Sequence, residues 1–430
     1  MGRRDGRRAG PYERPINHVG DARGSIANFG ARVDRPRLVV ATSWLPARSA
    51  TPRDAPFASG DSVVSTSSLF APTTVAGLAL RNRVVMSPMT RRFSPGGVPN
   101  QAVADYYRRR AEAGVGVIIT EGVAVDHPAA VDHADIPNFH GRALAQWKAI
   151  AASVTSAGAA FIPQLWHIGG HRSLTADPPN ASAPSLSPSG VYEPGKPFGT
   201  PATEAEIEAV IQAYAKGARD AAAIGASGVE IHGAHGYLID QFFWAATNQR
   251  QDRYGGDMIE RLRFATEVIK ACREAVGPSF PIFFRYSQFK QVDYKARLCQ
   301  SPDELAAFLQ PLVDAGVDVF DCSQRRFWEP EFEGSPLNLA GWTKTLTGKP
   351  TMTVGSVGLD GDVVASLREG VEVIAASSLD KLDVMLDRGD FDLVGVGRAL
   401  LADPHWVEKV RDGQTDGLAG FTRAALETLV

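Results

Sequence analysis

The stretch EAEIEAVIQAYAKGARDAAAIGASGVEIHGA, residues 204–234, predicts a helix, a turn and a strand in direct succession. Apolar residues recur at steps of three and four over 204–225, which is typical of an amphipathic helix. The glycine of IGAS favours a helix end. The short apolar run GVEIHGA at 228–234 then favours a buried strand. This stretch therefore predicts one helix–strand unit of an α/β fold.

The chain contains eight such apolar runs, including the one at 228–234. Glycine-bearing turns such as AGVG, SAGA and DAGV precede several of these runs. Strands that alternate with helices form parallel sheets through right-handed crossovers, and eight such units close into a (β/α)8 TIM barrel. An open doubly wound sheet is the competing architecture, but it seldom sustains eight regular units. We expect one barrel over residues 68–415 and a C-terminal tail over 416–430. The runs span 83–89, 116–122, 160–166, 228–234, 281–287, 317–323, 350–356 and 391–397.

Composition narrows the class of protein. The chain has 430 residues, 44% of them hydrophobic and 22% charged, with a formal net charge of −3. A near-neutral balance gives no reason to expect nucleic acid as a partner, and no apolar run approaches a membrane span. Three scattered cysteines without a C-x-x-C pair do not suggest a disulfide framework or a zinc site. We expect a cytoplasmic protein with a small-molecule substrate, either a monomer or a homo-oligomer.

Residues 1–67 differ from the rest because they are rich in arginine, glycine and proline. Such a composition is typical of disorder. An Arg-rich targeting peptide is an alternative, although acidic residues such as Asp5, Glu13, Asp21 and Asp34 argue against a transit sequence. We expect this N-terminal extension to be disordered or to result from a start codon assigned too far upstream.

In (β/α)8 barrels the active site lies at the carboxyl ends of the strands, so the residues that end the eight runs are the candidates. Glycines at the ends of runs seven and eight favour a phosphate site, because bare backbone N–H groups can approach the anion there. Glycines also fill tight barrel corners, and this alternative stays open. The candidates are Pro88, Met89, Thr90, Gln164, His232, Arg285, Gly355, Ser356, Gly397 and Arg398, with His235 and Tyr237 just beyond run four.

The two histidines allow three interpretations. With Glu230 they could serve a metal-dependent barrel hydrolase, but their spacing is i, i+3 and a metal needs further ligands. They could instead be core residues that hydrogen-bond internally. In the third interpretation, His232 and His235 direct imidazole N–H groups at a substrate oxygen, and Tyr237 donates a proton.

Four motifs together resemble the Old Yellow Enzyme family. They are NRVVMSPMTR at 82–91, QLWH at 164–167, the H-x-x-H-x-Y pattern at 232–237, and NQRQDRYGG at 248–256. The resemblance covers about residues 67–415, in order and at the expected strands. It implies an FMN-dependent NAD(P)H oxidoreductase, or ene-reductase, on a (β/α)8 barrel. A flavin-binding barrel without turnover is the non-catalytic alternative.

The resemblance also implies cofactor contacts. Thr90 would bond the O4 edge of tightly but non-covalently bound FMN, Gln164 the pyrimidine edge, and Arg285 the N1/O2 side. The main chain of Pro88, Met89 and Gly122 would line the flavin, although many relatives have alanine where this chain has Gly122. The phosphate would lie against Gly355, Ser356, Gly397 and Arg398.

For catalysis, the resemblance implies that NADPH or NADH reduces the flavin and leaves. An α,β-unsaturated carbonyl or nitro compound, an electrophilic alkene, would then enter the same pocket. His232 and His235 would bind and polarise it, its β-carbon would accept hydride from flavin N5, and Tyr237 would protonate its α-carbon. We interpret NQRQDRYGG as a structural ion-pair network. The loops at 169–203 and 325–334 are candidates for substrate contacts, and Phe327 and Trp328 either wall the pocket or pack on the barrel rim.

Overall fold

The computed structural model describes residues 67–359 and 378–430. The N-terminal extension predicted over residues 1–67 lies outside these residues, except for Ser67, which begins the first helix. Among the described helices, none is both long and apolar enough to span a membrane.

Eight parallel strands form a closed barrel, in the cyclic order β3, β4, β5, β8, β9, β10, β11, β12 and back to β3. Each barrel strand lies within or overlaps one of the eight apolar runs, so the predicted (β/α)8 fold is confirmed. The hairpins β1/β2 and β6/β7 lie outside the barrel. The strands are β1 Thr73–Val75, β2 Leu78–Leu80, β3 Val84–Met86, β4 Val117–Ala124, β5 Ala160–Trp166, β6 Val191–Glu193, β7 Lys196–Pro197, β8 Val229–His232, β9 Ile282–Ser287, β10 Val319–Ser323, β11 Thr351–Val354 and β12 Leu393–Val396.

Helices surround the barrel, and local sequence sets their ends. The helix Glu204–Ala223 begins with a capping box, in which Thr203 and Glu206 satisfy each other's backbone N–H groups. Gly225 follows that helix with φ +84°, which favours glycine. The described α-helices are Ser67–Phe70, Gln101–Glu112, Ala143–Ser156, Glu204–Ala223, Leu238–Phe243, Arg263–Val276, Pro302–Ala315, Leu339–Thr347, Leu379–Asp387, Arg398–Ala402 and Trp406–Arg411.

The barrel interior is apolar near the amino ends of the strands and polar near their carboxyl ends. Residues such as Ile162, Phe283 and Met352 fill the apolar part. Above it, strand register pairs Gln164 of β5 with Glu230 of β8, and Arg285 of β9 with Asp321 of β10. A buried polar layer therefore ends the interior at the face where barrel active sites lie.

The long loop after β5 is anchored by one buried arginine. The guanidinium of Arg172 donates to the carbonyl oxygens of Val131, Ala183 and Asn180 at 3.1, 2.8 and 2.8 Å. Since this side chain satisfies several carbonyls at once, it holds the loop against the segment that follows β4.

Two further segments pack on the barrel. Phe327, in the loop after β10, is fully buried and belongs to the core, whereas its neighbour Trp328 is partly buried. Within the predicted tail at 416–430, Phe421 is fully buried. The Arg91 guanidinium donates to the carbonyl oxygens of Ala425 and Thr428 in the same tail. The last residues thus contact the loop that follows β3.

Candidate active site

His232, His235 and Tyr237 lie together at the carboxyl end of β8. His232 is the last residue of the strand, and Tyr237 directly precedes the helix Leu238–Phe243. The ring of His232 lies 5.2 Å from that of His235 and 5.0 Å from that of Tyr237, edge to face in both pairs. The structure therefore brings the three predicted side chains into one cluster.

An unusual backbone conformation places His235. Its φ is +65°, which is uncommon for a residue with a Cβ atom. Its N–H donates to Oγ of Ser287 at 3.0 Å, and its ring stacks on Phe289 with centroids 5.3 Å apart. These contacts from the end of β9 and the loop beyond it stabilise the turn.

Both imidazoles are neutral at ordinary pH. Burial, with a further contribution from the nearby Arg285 cation, holds the pKa of each histidine well below its usual range. Nδ1 of His232 accepts a hydrogen bond from the backbone N–H of Ala234 at 3.2 Å. A neutral imidazole that accepts at Nδ1 carries its proton on Nε2, so His232 is a donor through Nε2.

His235 already has a polar partner within the protein. Its Nε2 lies 2.8 Å from Oγ of Ser323, the last residue of β10. Ser323 is not among the candidates predicted from the sequence, although its position at the end of the sixth apolar run is a signal that identifies it. A substrate oxygen that binds to Nε2 of His235 has to replace this hydroxyl.

The phenol of Tyr237 accepts a hydrogen bond from Nε2 of Gln291 at 3.0 Å. Because the amide is the donor, this bond does not use the phenol's own proton. The Tyr237 ring packs edge to face against Trp166 and His171, with centroids 5.1 and 5.6 Å away. Together with His232, these rings pack around the phenol on three sides and restrict its orientation.

Below this cluster lies the buried polar layer of the barrel interior. Nε2 of Gln164 donates to Oε1 of Glu230 at 2.8 Å. Nε of Arg285 lies 3.4 Å from Oδ2 of Asp321. The amide and the guanidinium, both predicted cofactor contacts, are thus each held by a carboxyl group. Neither Glu230 nor Asp321 is predicted from the sequence to support a cofactor contact.

The residues predicted at the first two strand ends are also close together. The carboxylate of Glu121, the residue before Gly122, accepts hydrogen bonds from the backbone N–H groups of Arg91 and Arg92 at 2.7 and 3.2 Å. This carboxylate fixes the chain directly after Pro88, Met89 and Thr90. A Cβ atom on Gly122 would lie 3.1 Å from Cγ of Trp166, so the indole fits closely against the glycine.

The ends of β11 and β12 meet through Ser356 and Arg398. The Arg398 guanidinium donates to Oγ of Ser356 at 3.1 Å, and that hydroxyl donates to the Arg325 carbonyl at 3.0 Å. Gly355 has φ +149°, and a Cβ atom there would lie 2.6 Å from the Gln324 carbonyl oxygen, so only glycine fits. A Cβ atom on Gly397 would lie 3.4 Å from Sδ of Met89, which brings the ends of β12 and β3 together.

This donor set fits FMN. An amide and a guanidinium can bind the polar edge of a flavin ring, and a guanidinium beside a hydroxyl and two glycines can bind a phosphate. It fits a metal poorly, because no group of three or more His, Cys, Asp or Glu in residues 67–359 and 378–430 could hold one. Glu230, the third ligand of the metal alternative, contacts Gln164 instead.

The motif at 248–256 forms an ion-pair network away from these groups. Nε of Arg250 donates to Asp252 at 2.9 Å, Nε of Arg253 donates to Glu204 at 3.0 Å, and the Tyr254 hydroxyl donates to Glu267 at 2.8 Å. These bonds brace the loop and agree with its structural interpretation.

Comparisons with known proteins agree with the geometry. The profile of the NADH:flavin oxidoreductase / NADH oxidase family matches residues 68–417. An NADH oxidase from Thermoanaerobacter brockii is 35% identical over 359 residues, which are 80% of this chain and 51% of that enzyme. The 12-oxophytodienoate reductase 7 of Oryza sativa subsp. japonica is 30% identical, over 80% of this chain and 87% of its own.

Solved structures show the same fold. The crystal structure of Old Yellow Enzyme from Pichia sp. AKU4542 superposes with a TM-score of 0.68 at 25% identity, covering 84% of this chain and 90% of that one. The chain spans only about half the length of the Thermoanaerobacter relative, 51%. The family profile, by contrast, matches nearly the whole of the barrel. The chain belongs to the NADH:flavin oxidoreductase / NADH oxidase family, the family of the Old Yellow Enzymes, whose cofactor is FMN and whose reductant is NADH or NADPH.

Proposed function

We propose that this protein is an ene-reductase, which reduces the activated C=C bond of α,β-unsaturated carbonyl or nitro compounds. The observation that carries the proposal is the cluster of His232, His235 and Tyr237 above the polar layer with Gln164 and Arg285. FMN, when bound, takes electrons from NADPH or NADH and supplies them as hydride. The names of two relatives, a 12-oxophytodienoate reductase and a morphinone reductase, support a reductase.

The histidines bind the substrate's oxygen in this proposal. The Nε2–H of His232 donates to the carbonyl or nitro oxygen, and His235 donates a second bond once the oxygen has replaced the Ser323 hydroxyl. Because both imidazoles favour the neutral form, they polarise the substrate by hydrogen bonding without carrying a charge.

Tyr237 delivers the proton. Gln291 donates to the phenol oxygen, and in this proposal the phenol's own hydrogen passes to the substrate's α-carbon. A hydrogen bond received by the oxygen also stabilises the phenolate that remains after transfer. Trp166 and His171 pack edge to face against the ring and hold its orientation.

The cofactor contacts follow the geometry of the strand ends. Gln164 and Arg285 hold the pyrimidine side of the flavin, and Pro88, Met89, Thr90 and Gly122 line its edge. Gly355, Ser356, Gly397 and Arg398 hold the phosphate. A reducing cytoplasm is the proposed location, which the buried free thiols of Cys272, Cys299 and Cys322 support.

A visible spectrum of the purified protein tests the proposal. We expect a flavin band that bleaches when NADPH is added without oxygen and returns when 2-cyclohexenone follows. A colourless protein that FMN does not reconstitute would contradict the cofactor site. Retained FMN without NADPH oxidation in the presence of several enones and nitroalkenes would favour the non-catalytic flavin-binding barrel.

A further inference from the structure

The polar layer of the barrel interior contains more acid than base. Gln164, Glu230, Arg285 and Asp321 come from four successive barrel strands, and none is more than 5% exposed. Two of the four are carboxylic acids, and one is a guanidinium. If both acids were ionised, the layer would carry a net charge of −1 away from water.

The two carboxyl groups are both fully buried in the barrel interior and interact with each other. They lie within hydrogen-bonding reach of one another. Oε2 of Glu230 and both carboxyl oxygens of Asp321 have no hydrogen-bond partner among the described groups. Two carboxylates in this arrangement repel each other, whereas one shared proton turns the repulsion into a hydrogen bond.

Other groups around the pair do not offset the extra negative charge. The charged side chain that faces both acids is Arg285, from β9. Gln164 of β5 contributes a neutral amide, and His232 at the end of β8 is a neutral imidazole. Burial raises the pKa of both carboxyl groups, that of Glu230 especially far. One retained proton makes the layer neutral, and a neutral layer avoids the cost of a buried net charge.

The contacts decide which acid holds the proton. Asp321 is the register neighbour of Arg285 and forms the ion pair with it, which favours its anion. Within residues 67–359 and 378–430, Glu230 accepts from the neutral amide of Gln164 alone. We propose that Glu230 is a protonated positioning residue, whose Oε2 hydroxyl donates to the Asp321 carboxylate and so links Gln164 to Arg285 through one neutral network.

This network has a consequence for the flavin, which rests on the proposed cofactor site. Since Glu230 accepts from Nε2 of Gln164, the orientation of that amide is fixed and its Oε1 remains as an acceptor for the ligand. Asp321 offsets the charge of Arg285, so the layer under the flavin has no net charge. Asp321 is therefore expected to set the reduction potential, and Glu230 to hold Asp321 and Gln164 in place, without touching the substrate.

Infrared difference spectra test the protonation directly. At about pH 9 a carboxyl with a pKa of about 7, such as that of Glu121, is ionised. We expect the wild-type protein to keep a carboxylic-acid C=O band there and Glu230→Gln to lose it. Glu331→Gln is the matched control, because Glu331 is a buried acid that pairs with its own arginine, Arg297. A wild-type spectrum without the band, or a band that survives in Glu230→Gln, overturns the proposal.

The flavin potential provides a second readout that needs no alkene substrate. Glutamine replaces a neutral acid in Glu230→Gln, so the ratio of oxidised to reduced FMN affinity should stay within about twofold of wild type. Adding Asp321→Asn leaves Arg285 uncompensated, and reduced FMN should then bind at least about tenfold more tightly relative to oxidised FMN, a rise of about 30 mV. A comparable rise in Glu230→Gln alone would show that Glu230 was ionised.

These results separate the inference from the proposed function. An enzyme without ene-reductase activity can still show the carboxylic-acid band and the two potentials. If Glu230→Gln does not fold, the wild-type band at about pH 9 and the Asp321→Asn single variant still decide the matter. In that variant Glu230 is the one acid left opposite Arg285, so it should ionise and the band should disappear. A band that persists in Asp321→Asn overturns the proposal.

Discussion

The ammonium of Lys290 lies 2.6 Å from Oδ1 of Asp240, and both side chains are fully inaccessible to solvent. Oδ2 of the same aspartate accepts the backbone N–H of Gly236 at 2.6 Å. This ion pair therefore fixes the turn between His235 and Tyr237. Burial raises the pKa of Asp240 and lowers that of Lys290, and their mutual attraction opposes both shifts.

Removing one partner of the Lys290–Asp240 ion pair should destabilise the protein more than removing both partners. Asp240→Ala leaves a buried ammonium without a counter-ion, which costs about 3–5 kcal/mol of unfolding free energy. Asp240→Leu with Lys290→Met should recover most of that loss. Urea unfolding of the three proteins measures both values. A double variant as unstable as Asp240→Ala would show that the pair itself is not the source of the effect.

Tyr237→Phe should separate the two half-reactions. The reduction of flavin by NADPH should be unchanged, because the ring and its packing on Trp166 remain. Reoxidation by an enone should slow by about 10²- to 10⁴-fold, the usual effect of losing a general acid. Anaerobic stopped-flow absorbance measures each step. Unchanged reoxidation would exclude Tyr237 as the proton donor.

The histidine pair should bind phenols that stack on the flavin. Removing two hydrogen-bond donors in His232→Ala with His235→Ala should weaken binding of a substituted phenol about 10- to 100-fold. Spectral titration of the oxidised protein gives the affinity. His405→Ala is the control, because His405 is exposed and bonds to Glu408. Equal phenol affinity in both variants would show that the histidines do not bind the phenol.

Arg398 should determine how tightly FMN is retained. Loss of a charge-assisted contact to phosphate in Arg398→Ala should raise the FMN dissociation constant about 10- to 100-fold. Fluorescence of released FMN after ultrafiltration measures it. Arg411→Ala is the matched control, since Arg411 lies at the surface beside Asp412. If both variants retain FMN equally, the phosphate does not lie against Arg398.

Glu121 should make stability depend on pH. Burial raises the pKa of this carboxyl to about 7, above its unfolded value of about 4.5. The stability contributed by its neutral form is present below about pH 4.5 and is lost as pH rises through about 7. Relative to Glu121→Gln, the wild type should therefore lose about 3 kcal/mol across this window. Urea unfolding at a series of pH values measures the unfolding free energy of both proteins. If the difference between the two free energies is the same at every pH, the raised pKa does not belong to Glu121.

Periodicity predicted the barrel because each strand and helix carries its own local pattern. The apolar runs specify eight buried strands, and the rule for strand ends identified His232, Gln164 and Arg285 as neighbours in space. Side chains that contact each other from different strands could not be predicted from the sequence in this way. Ser323 meets His235 across 88 positions, and Glu230 faces Asp321 across 91, so neither pairing has a local signal. Phe327 packs in the core because of loop contacts that sequence spacing does not encode.

The closed barrel also has a consequence for folding. Its last seam pairs Val84 of β3 with Val394 of β12, residues that are 310 positions apart in the chain. Contacts so distant in sequence form slowly, because the ordering of the intervening chain precedes them. During synthesis β3 is the first of the barrel strands to be made and β12 is the last. One edge of β3 therefore stays unpaired until β12 is available. Met89 and Gly397 meet across the same seam, so we expect that the barrel acquires its flavin only after this final strand has docked.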